Sequence, residues 1–189
     1  INQAGSTGGA VLDASGSGAL VLTGSVSSAA SDKTLTLTGT SSALNTISGT
    51  IGNGSSGSVS LAKSGAGTWV LSAANTYSGS TTVSEGKLGV ANIVAGSSSL
   101  GTATNAVALG GTATSGTLSY MGNSGTFTRG LTVRAGGGGL ETTASGQKLT
   151  VPTCGIAPAG LFVVSGSDNT TISCAIHCPR SVPKCCSRQ

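Results

Sequence analysis

Short stretches in which apolar and polar residues alternate return along the chain, each followed by turn residues. They are clearest at residues 19–24, 34–39, 68–72 and 161–166, which read ALVLTG, TLTLTG, TWVLS and LFVVSG. Alternation with a period of two places successive side chains on opposite faces of a β-strand. We therefore predict short strands that bury one face only, with the hydroxyls of Thr34, Thr36 and Thr38 pointing outward.

A longer internal similarity links two distant parts of the chain. The letters LTGT and NTISGTI within residues 37–51 return as VSGS and TTISCAI within residues 164–176. Repetition of strand and turn units indicates a solenoid, in which each coil buries its apolar face by stacking on the next. With coils of roughly 20 residues, about eight or nine would fit in this chain.

The amino-acid composition supports a β-rich chain and argues against helical and disordered ones. Glycine contributes 32 residues and charged residues make up 7%, so good helix formers are scarce and turn residues abundant. Disordered chains combine low hydrophobicity with high net charge. Here 37% of residues are hydrophobic and the mean hydropathy is +0.26, so an ordered all-β chain is expected.

The formal net charge of +4 gives no support to nucleic-acid binding, because the excess is confined to one end. Arg180, Lys184 and Arg188 lie in the last ten residues, and the rest of the chain is nearly neutral. No signal peptide is recognisable after Ile1. No apolar run approaches the roughly 18 residues of a transmembrane helix, so we expect neither a nucleic-acid partner nor a transmembrane segment.

One segment carries a specific family signature. Residues 63–83 read KSGAGTWVLSAANTYSGSTTV and residues 85–88 read EGKL, and together they closely resemble the autotransporter-associated β-strand repeat. The residues that match the motif of this repeat are Gly65, Gly67, Leu71, Asn75, Thr76, Tyr77 and Gly79. Trp69 stands where the repeat usually has leucine, and Ala73 where it usually has glycine. The stretches before and after this segment, from about residue 39 to residue 176, look like the looser spacers found between such repeats.

The resemblance implies a fold and a location. Repeats of this family form a right-handed parallel β-helix in exported bacterial proteins, so we expect an all-β chain that is secreted or held at the bacterial cell surface. We predict one β-solenoid domain over residues 1–176 that serves as a structural or adhesive segment of a surface protein. The same scaffold carries adhesins, proteases and inert spacers, so function has to be argued from a site.

Residues 177–189 leave the pattern and form an atypical basic tail rich in cysteine. The cysteines of the chain are Cys154, Cys174, Cys178, Cys185 and Cys186, an odd number that cannot close into intramolecular pairs alone. The tail is either disordered, a non-native remnant, or a carrier of disulfides. Cys174, His177 and Cys178 are zinc-ligand types, but their spacing departs from paired Cys-x-x-Cys knuckles. We predict no metal site and no cofactor.

No arrangement for catalysis is evident, and we predict no catalytic residue. His177 is the single histidine, it lies in the atypical tail, and no Gly-x-Ser-x-Gly motif accompanies it. A glycosidase needs two facing carboxyl groups. The acidic residues, isolated in sequence, are Asp13, Asp32, Glu85, Glu141 and Asp168. Because a solenoid can bring distant residues together, enzyme activity stays open, with a non-enzyme favoured.

The candidate binding residues are Trp69, Tyr77, Thr34, Thr36 and Thr38. The two rings offer surfaces for stacking a sugar, but Trp69 takes an inward strand position and Tyr77 belongs to a turn, so packing in the core is favoured. Cell-surface glycans or polysaccharides are the candidate partners. The alternatives are a polysaccharide-binding module or carbohydrate-active enzyme on the same scaffold, and an ice-binding solenoid that uses the threonine row.

Overall fold

Every regular element of the structure is a short β-strand. The computed structural model describes residues 2–3, 8–29, 31–94, 98–152, 156–166, 170–172 and 186–188, and these contain no helix. The described part therefore holds no helix of the length and apolarity needed to span a membrane. The prediction of an all-β chain is confirmed.

The strands follow one another at short intervals along the chain. They are β1 (Asn2–Gln3), β2 (Ala10–Asp13), β3 (Val21–Leu22), β4 (Val26–Ser28), β5 (Lys33–Thr38), β6 (Asn45–Ile47), β7 (Ile51–Gly52), β8 (Val59–Lys63), β9 (Thr68–Leu71), β10 (Thr81–Val83), β11 (Gly86–Val90), β12 (Val107–Leu109), β13 (Gly116–Tyr120), β14 (Gly125–Thr126), β15 (Leu131–Val133), β16 (Gly138–Thr142), β17 (Leu149–Val151), β18 (Ile156–Pro158), β19 (Phe162–Gly166), β20 (Thr170–Ile172) and β21 (Cys186–Arg188).

These strands form three faces around one core, and all described pairings are parallel. The first face is a seven-stranded sheet in the order β18, β15, β12, β10, β8, β5, β2. The second is an eight-stranded sheet in the order β21, β19, β16, β13, β11, β9, β6, β3. The third face holds two separate sheets, β1-β4-β7 and β14-β17-β20. The chain visits the faces in turn, so the predicted parallel β-solenoid is confirmed.

Partners within a sheet come from successive coils, so the strand register measures coil length. Val21 pairs with Thr46, whereas Thr68 pairs with Lys87, so the first of these two coils is the longer. The solenoid has about six turns. The prediction of eight or nine coils is wrong, because most coils need more than the roughly 20 residues expected of a short repeat to close three faces and their corners.

The four alternating stretches are all strands, represented by β3, β5, β9 and β19. The longer internal similarity, in contrast, does not mark equivalent places in the coil. Its NTI letters form β6 on the second face, whereas the matching TTI letters form β20 on the third. All three faces are built from short strands followed by turns. Sequences on different faces can therefore resemble one another.

The core is built by the inward residues of each strand. Leu35 and Leu37 of β5 are fully buried, and Leu35 is stacked between Ala10 of the preceding coil and Leu61 of the next. Burial of one such side chain stabilises the fold by about 1.5–3 kcal/mol relative to its exposure. The apolar stripe therefore continues from coil to coil, and no coil has a complete core of its own.

The strand ladder of the third face is interrupted in the middle of the solenoid. Residues 72–80 and the described part of residues 91–106 form the third side of two successive coils, and they contain no strand. Isolated hydrogen bonds join the coils there, such as Thr102 N to Tyr77 O at 2.9 Å. This interruption separates sheet β1-β4-β7 from sheet β14-β17-β20.

The division into a domain of residues 1–176 and a tail of residues 177–189 stays a prediction. Residues 173–185 and 189 lie outside the described residues. The backbone of Cys186–Arg188 forms β21, which pairs with β19. The right-handed sense of winding likewise stays a prediction from the resemblance.

Candidate functional site

The segment that resembles the passenger repeat spans parts of two successive coils of the solenoid. It runs from the end of β8 through β9 and β10 to β11. Strand β9 pairs with β6 and β11, and β10 pairs with β8 and β12. Leu71 is fully buried in the core, while Thr76 is exposed and its backbone N–H donates to Ile51 O at 2.9 Å. The repeat motif is therefore held by coils on both sides.

Glycines of the segment lie where successive coils come closest. Gly65 and Gly86 have φ values of +71° and +67°, in the left-handed region that side chains disfavour. A Cβ on Gly86 would lie 2.5 Å from the backbone oxygen of Gly65. A Cβ on Gly67 or Gly79 would also meet backbone atoms of the preceding coil. These motif positions therefore allow the backbones of neighbouring coils to touch.

Asn75 links three coils from inside a turn. Its side chain is 5% exposed, and its Oδ1 accepts a hydrogen bond from Ile51 N at 2.8 Å. Its Nδ2 donates to Ser99 O at 2.6 Å. Ile51 belongs to the preceding coil and Ser99 to the following one. A carboxamide provides a donor and an acceptor on one short side chain, which is why asparagine suits this position of the repeat.

Asn45 makes the same kind of link at another place, and sequence reasoning missed it. Its Oδ1 accepts from Leu20 N at 2.9 Å, and its Nδ2 donates to Thr68 O at 2.8 Å. Asn45 lies in β6 on the second face, in register with Trp69, whereas Asn75 lies on the strandless third side, so the two residues do not occupy equivalent positions in their coils. No periodic signal in the sequence therefore identifies the pair.

Lys63, the lysine that opens the repeat motif, is buried within the solenoid. Its Nζ donates to three backbone oxygens, Ser64 O at 2.9 Å, Gly65 O at 2.7 Å and Glu85 O at 3.0 Å. Burial lowers the pKa of Lys63 to about 8, and the charge of Glu85 acts in the opposite direction. The ammonium therefore joins two successive turns of backbone and is not available at the surface.

The aromatic candidates for sugar stacking belong to the core. Trp69 is fully buried and its Nε1 donates to Thr38 O at 2.9 Å. Tyr77 is also fully buried, with its hydroxyl 2.9 Å from Thr81 Oγ1, and burial raises its pKa to about 12. The remaining aromatic residues, Tyr120, Phe127 and Phe162, are at most 4% exposed. All five aromatic rings are thus packed inside, as was favoured for Trp69 and Tyr77.

The threonine candidates lie on the outer surface of the first face, as predicted. Thr34 is exposed, and Thr36 and Thr38 are partly buried. Thr36 is stacked between Val11 of the preceding coil and Ala62 of the following one. The threonine row therefore runs along one strand and is not continued by threonine in the adjacent coils. The residues stacked above and below Thr36 therefore give no support to an ice-binding surface.

A surface ion pair crosses the second face. Lys87 Nζ lies 2.7 Å from Glu141 Oε2, and the two side chains are 40% and 21% exposed. Lys87 is aligned with Thr117, and Glu141 with Ser119, so the pair spans two coil steps. Because its members are distant in sequence, only the register of β11, β13 and β16 brings them together.

The candidate metal ligands Cys174, His177 and Cys178 lie outside the described residues. Within the described ranges, no group of three His, Cys, Asp or Glu side chains could hold a metal ion. Of the acids, Asp32 accepts hydrogen bonds from Ser58 N and Oγ, which lower its pKa. The Asp32 carboxylate therefore joins the turns of two successive coils.

Comparison with known proteins supports the same class of fold and location. Residues 61–90 match the family model of the Passenger-associated-transport-repeat. Over 85 residues, or 43% of this chain, the sequence is 39% identical to "Adhesin BmaC autotransporter" of Brucella suis biovar 1 (strain 1330). The matched part is 2% of the length of that adhesin. No solved structure matches the chain significantly.

The matched residues coincide with the segment described above, which begins in β8 and ends with β11. The family model and the adhesin both indicate the passenger type of exported bacterial protein. The predicted resemblance, and with it a secreted or cell-surface location, is therefore confirmed. The chain carries a passenger-associated transport repeat that spans parts of two successive coils of a parallel β-solenoid.

Proposed function

We propose that this chain is a structural and adhesive segment of an exported bacterial surface protein. The observation that carries the proposal is the place of the passenger repeat, which is hydrogen-bonded through β9 to β6 before it and through β10 to β12 after it. A segment of this kind extends a solenoid and adds stability through its interfaces with its neighbours. The similarity to an autotransporter adhesin supports adhesion as the purpose of that extension.

The outer surface is better suited to contact with a binding partner than to catalysis. On the first face, the outward column formed by Thr36, Ala62, Thr82 and Ala108 consists of short, uncharged side chains. Such side chains hold little conformational entropy to lose on contact, which suits a broad, shallow adhesive surface. Glycans remain the proposed partners, contacted by hydroxyl and charged groups because the aromatic rings are buried.

Adhesion of particles coated with the chain tests this proposal. Microspheres carrying the folded chain are expected to adhere to cultured animal epithelial cells more than microspheres carrying an unrelated β-solenoid. Prior oxidation of cell-surface sugars with periodate is expected to reduce this difference. Equal adhesion of the two kinds of microsphere would contradict an adhesive role, and adhesion that periodate leaves unchanged would contradict a glycan partner.

A further inference from the structure

A cavity opens on the third face near the interruption of its strand ladder. Its volume is about 310 Å³, and its lining includes residues 101–104 of one coil and residues 127–129 of the next. The first segment belongs to the strandless third side of its coil, and the second follows directly after β14. Small-molecule sites in proteins begin at roughly this size.

The wall of the cavity combines apolar side chains, hydroxyls and a cation. Ile93 and Phe127 supply apolar surface, Thr102 and Thr104 supply hydroxyls, and Arg129 supplies a guanidinium. Ile93 and Phe127 also belong to the hydrophobic core, so they are fixed from behind. A wall of this composition fits a compact ligand with an apolar surface, hydroxyl groups and a negative charge.

The guanidinium of Arg129 is held firmly, but no carboxylate neutralises it in the described part of the chain. Its Nε donates to Asn105 O and its Nη1 to Leu100 O, both at 2.9 Å, and its Nη2 donates to Asn105 Oδ1 at 3.4 Å. Burial lowers the pKa of Arg129, although an arginine stays protonated in proteins. Of the four described acidic side chains, none lies within 4.0 Å of it. A partly buried cation held by neutral oxygens favours an anionic ligand.

We propose that this cavity binds a sugar residue that bears a carboxylate, of the uronic acid class. This ligand class rests on the adhesive function proposed above and makes it more specific. The carboxylate would accept hydrogen bonds from the remaining N–H groups of Arg129. The ring hydroxyls would meet Thr102 and Thr104, and the C–H surface of the ring would pack against Ile93. A simple carboxylate would engage the cation and leave these other groups unused.

Titration of the full chain with glucuronic acid, glucose and acetate tests the site, with backbone amide shifts measured by NMR. Glucuronic acid is expected to bind about tenfold more tightly than either of the others, because it alone engages both the cation and the hydroxyls. The largest shifts are expected at Thr104 and Arg129. Equal affinity for acetate and glucuronic acid, or no saturable shift at these residues, overturns the proposal.

Two variants and a matched control separate binding from folding. Arg129→Gln is expected to remove the preference for glucuronic acid over glucose, with its fold checked by circular dichroism because Arg129 also holds the backbone. Thr104→Val changes an exposed hydroxyl and is expected to weaken glucuronic acid binding by about threefold to tenfold. Thr112→Val, exposed and outside the cavity, should leave the affinity unchanged. Wild-type affinity in Thr104→Val overturns the site even if Arg129→Gln does not fold.

Failure of the site and failure of the adhesive function give different results. If the microspheres adhere to cells but the chain does not bind glucuronic acid, the proposed ligand site in the cavity is refuted and the adhesive function is not. A chain that binds glucuronic acid on microspheres that do not adhere overturns the adhesive function alone.

Discussion

Replacement of Asn75 by alanine should destabilise the coil that carries the passenger repeat. The change removes the acceptor for Ile51 N and the donor for Ser99 O, at 2.8 Å and 2.6 Å respectively. The site is buried, so water cannot easily replace either partner. A buried polar group left without a hydrogen bond costs about 1–3 kcal/mol. Two such groups give an expected loss of about 3 kcal/mol in the free energy of unfolding.

Urea unfolding followed by the fluorescence of Trp69 measures this loss locally. Trp69 is the single tryptophan, it is fully buried, and it lies in the same coil as Asn75. Asn75→Asp should be at least as destabilising as Asn75→Ala at neutral pH. An aspartate still accepts from Ile51 N but sets a negative charge against the oxygen of Ser99.

Asn92→Ala is the matched control for these variants. Its Oδ1 accepts from Val94 N, two residues away within one turn, so it links no coils. We expect its loss of stability to stay below about 1 kcal/mol. An unfolding midpoint for Asn75→Ala equal to that of Asn92→Ala would refute the reasoning that Asn75 joins successive coils.

Ionisation, backbone conformation and surface charge give further tests. The pKa of Lys63 falls from 10.5 to about 8 on folding, so the unfolded chain binds more protons between these values and the unfolding free energy should rise with pH there. The raised pKa of Tyr77 makes the folded state bind more protons above pH 10.0, so stability should fall again. Urea midpoints measured across this range check both trends, and Lys63→Met should flatten the rise. Gly86→Ala should cost about 2 kcal/mol because φ is positive and the new Cβ meets backbone, whereas Gly16→Ala, with nothing within 4 Å, should change unfolding by less than about 0.5 kcal/mol. Lys87→Ala should cost less than about 1 kcal/mol, and thermal melts should show that loss shrinking at high salt.

The strands and the inward residues could be predicted because alternation is a local signal. Leu35, Leu37 and Trp69 are buried as their positions in the alternating stretches predict. The number of coils could not be predicted, because it depends on the length of each corner. Corners vary from the two residues between β10 and β11 to the longer third sides such as residues 72–80.

Less of the candidate site than of the fold could be predicted from the sequence. The motif identified Asn75 as a repeat residue, but its two partners lie in other coils and are visible only once the register is known. The Lys87–Glu141 pair and the cavity beside Arg129 are likewise products of stacking. Because the coils differ in length, residues that meet across coils are not separated by a fixed number of residues. A sequence pattern therefore cannot identify them.

The distance between spin labels at Thr36 and Thr132 tests the stacked parallel solenoid most directly. The two positions lie in one column of the first face, linked in register through Ala62, Thr82 and Ala108. Four strand spacings of about 4.8 Å place their Cα atoms about 19 Å apart. Labels attached through non-canonical amino acids leave the native cysteines untouched. A narrow distribution near this distance, after allowance for the label arms, is the predicted result, whereas a broad distribution near about 50 Å, as for a flexible chain of that length, would contradict it.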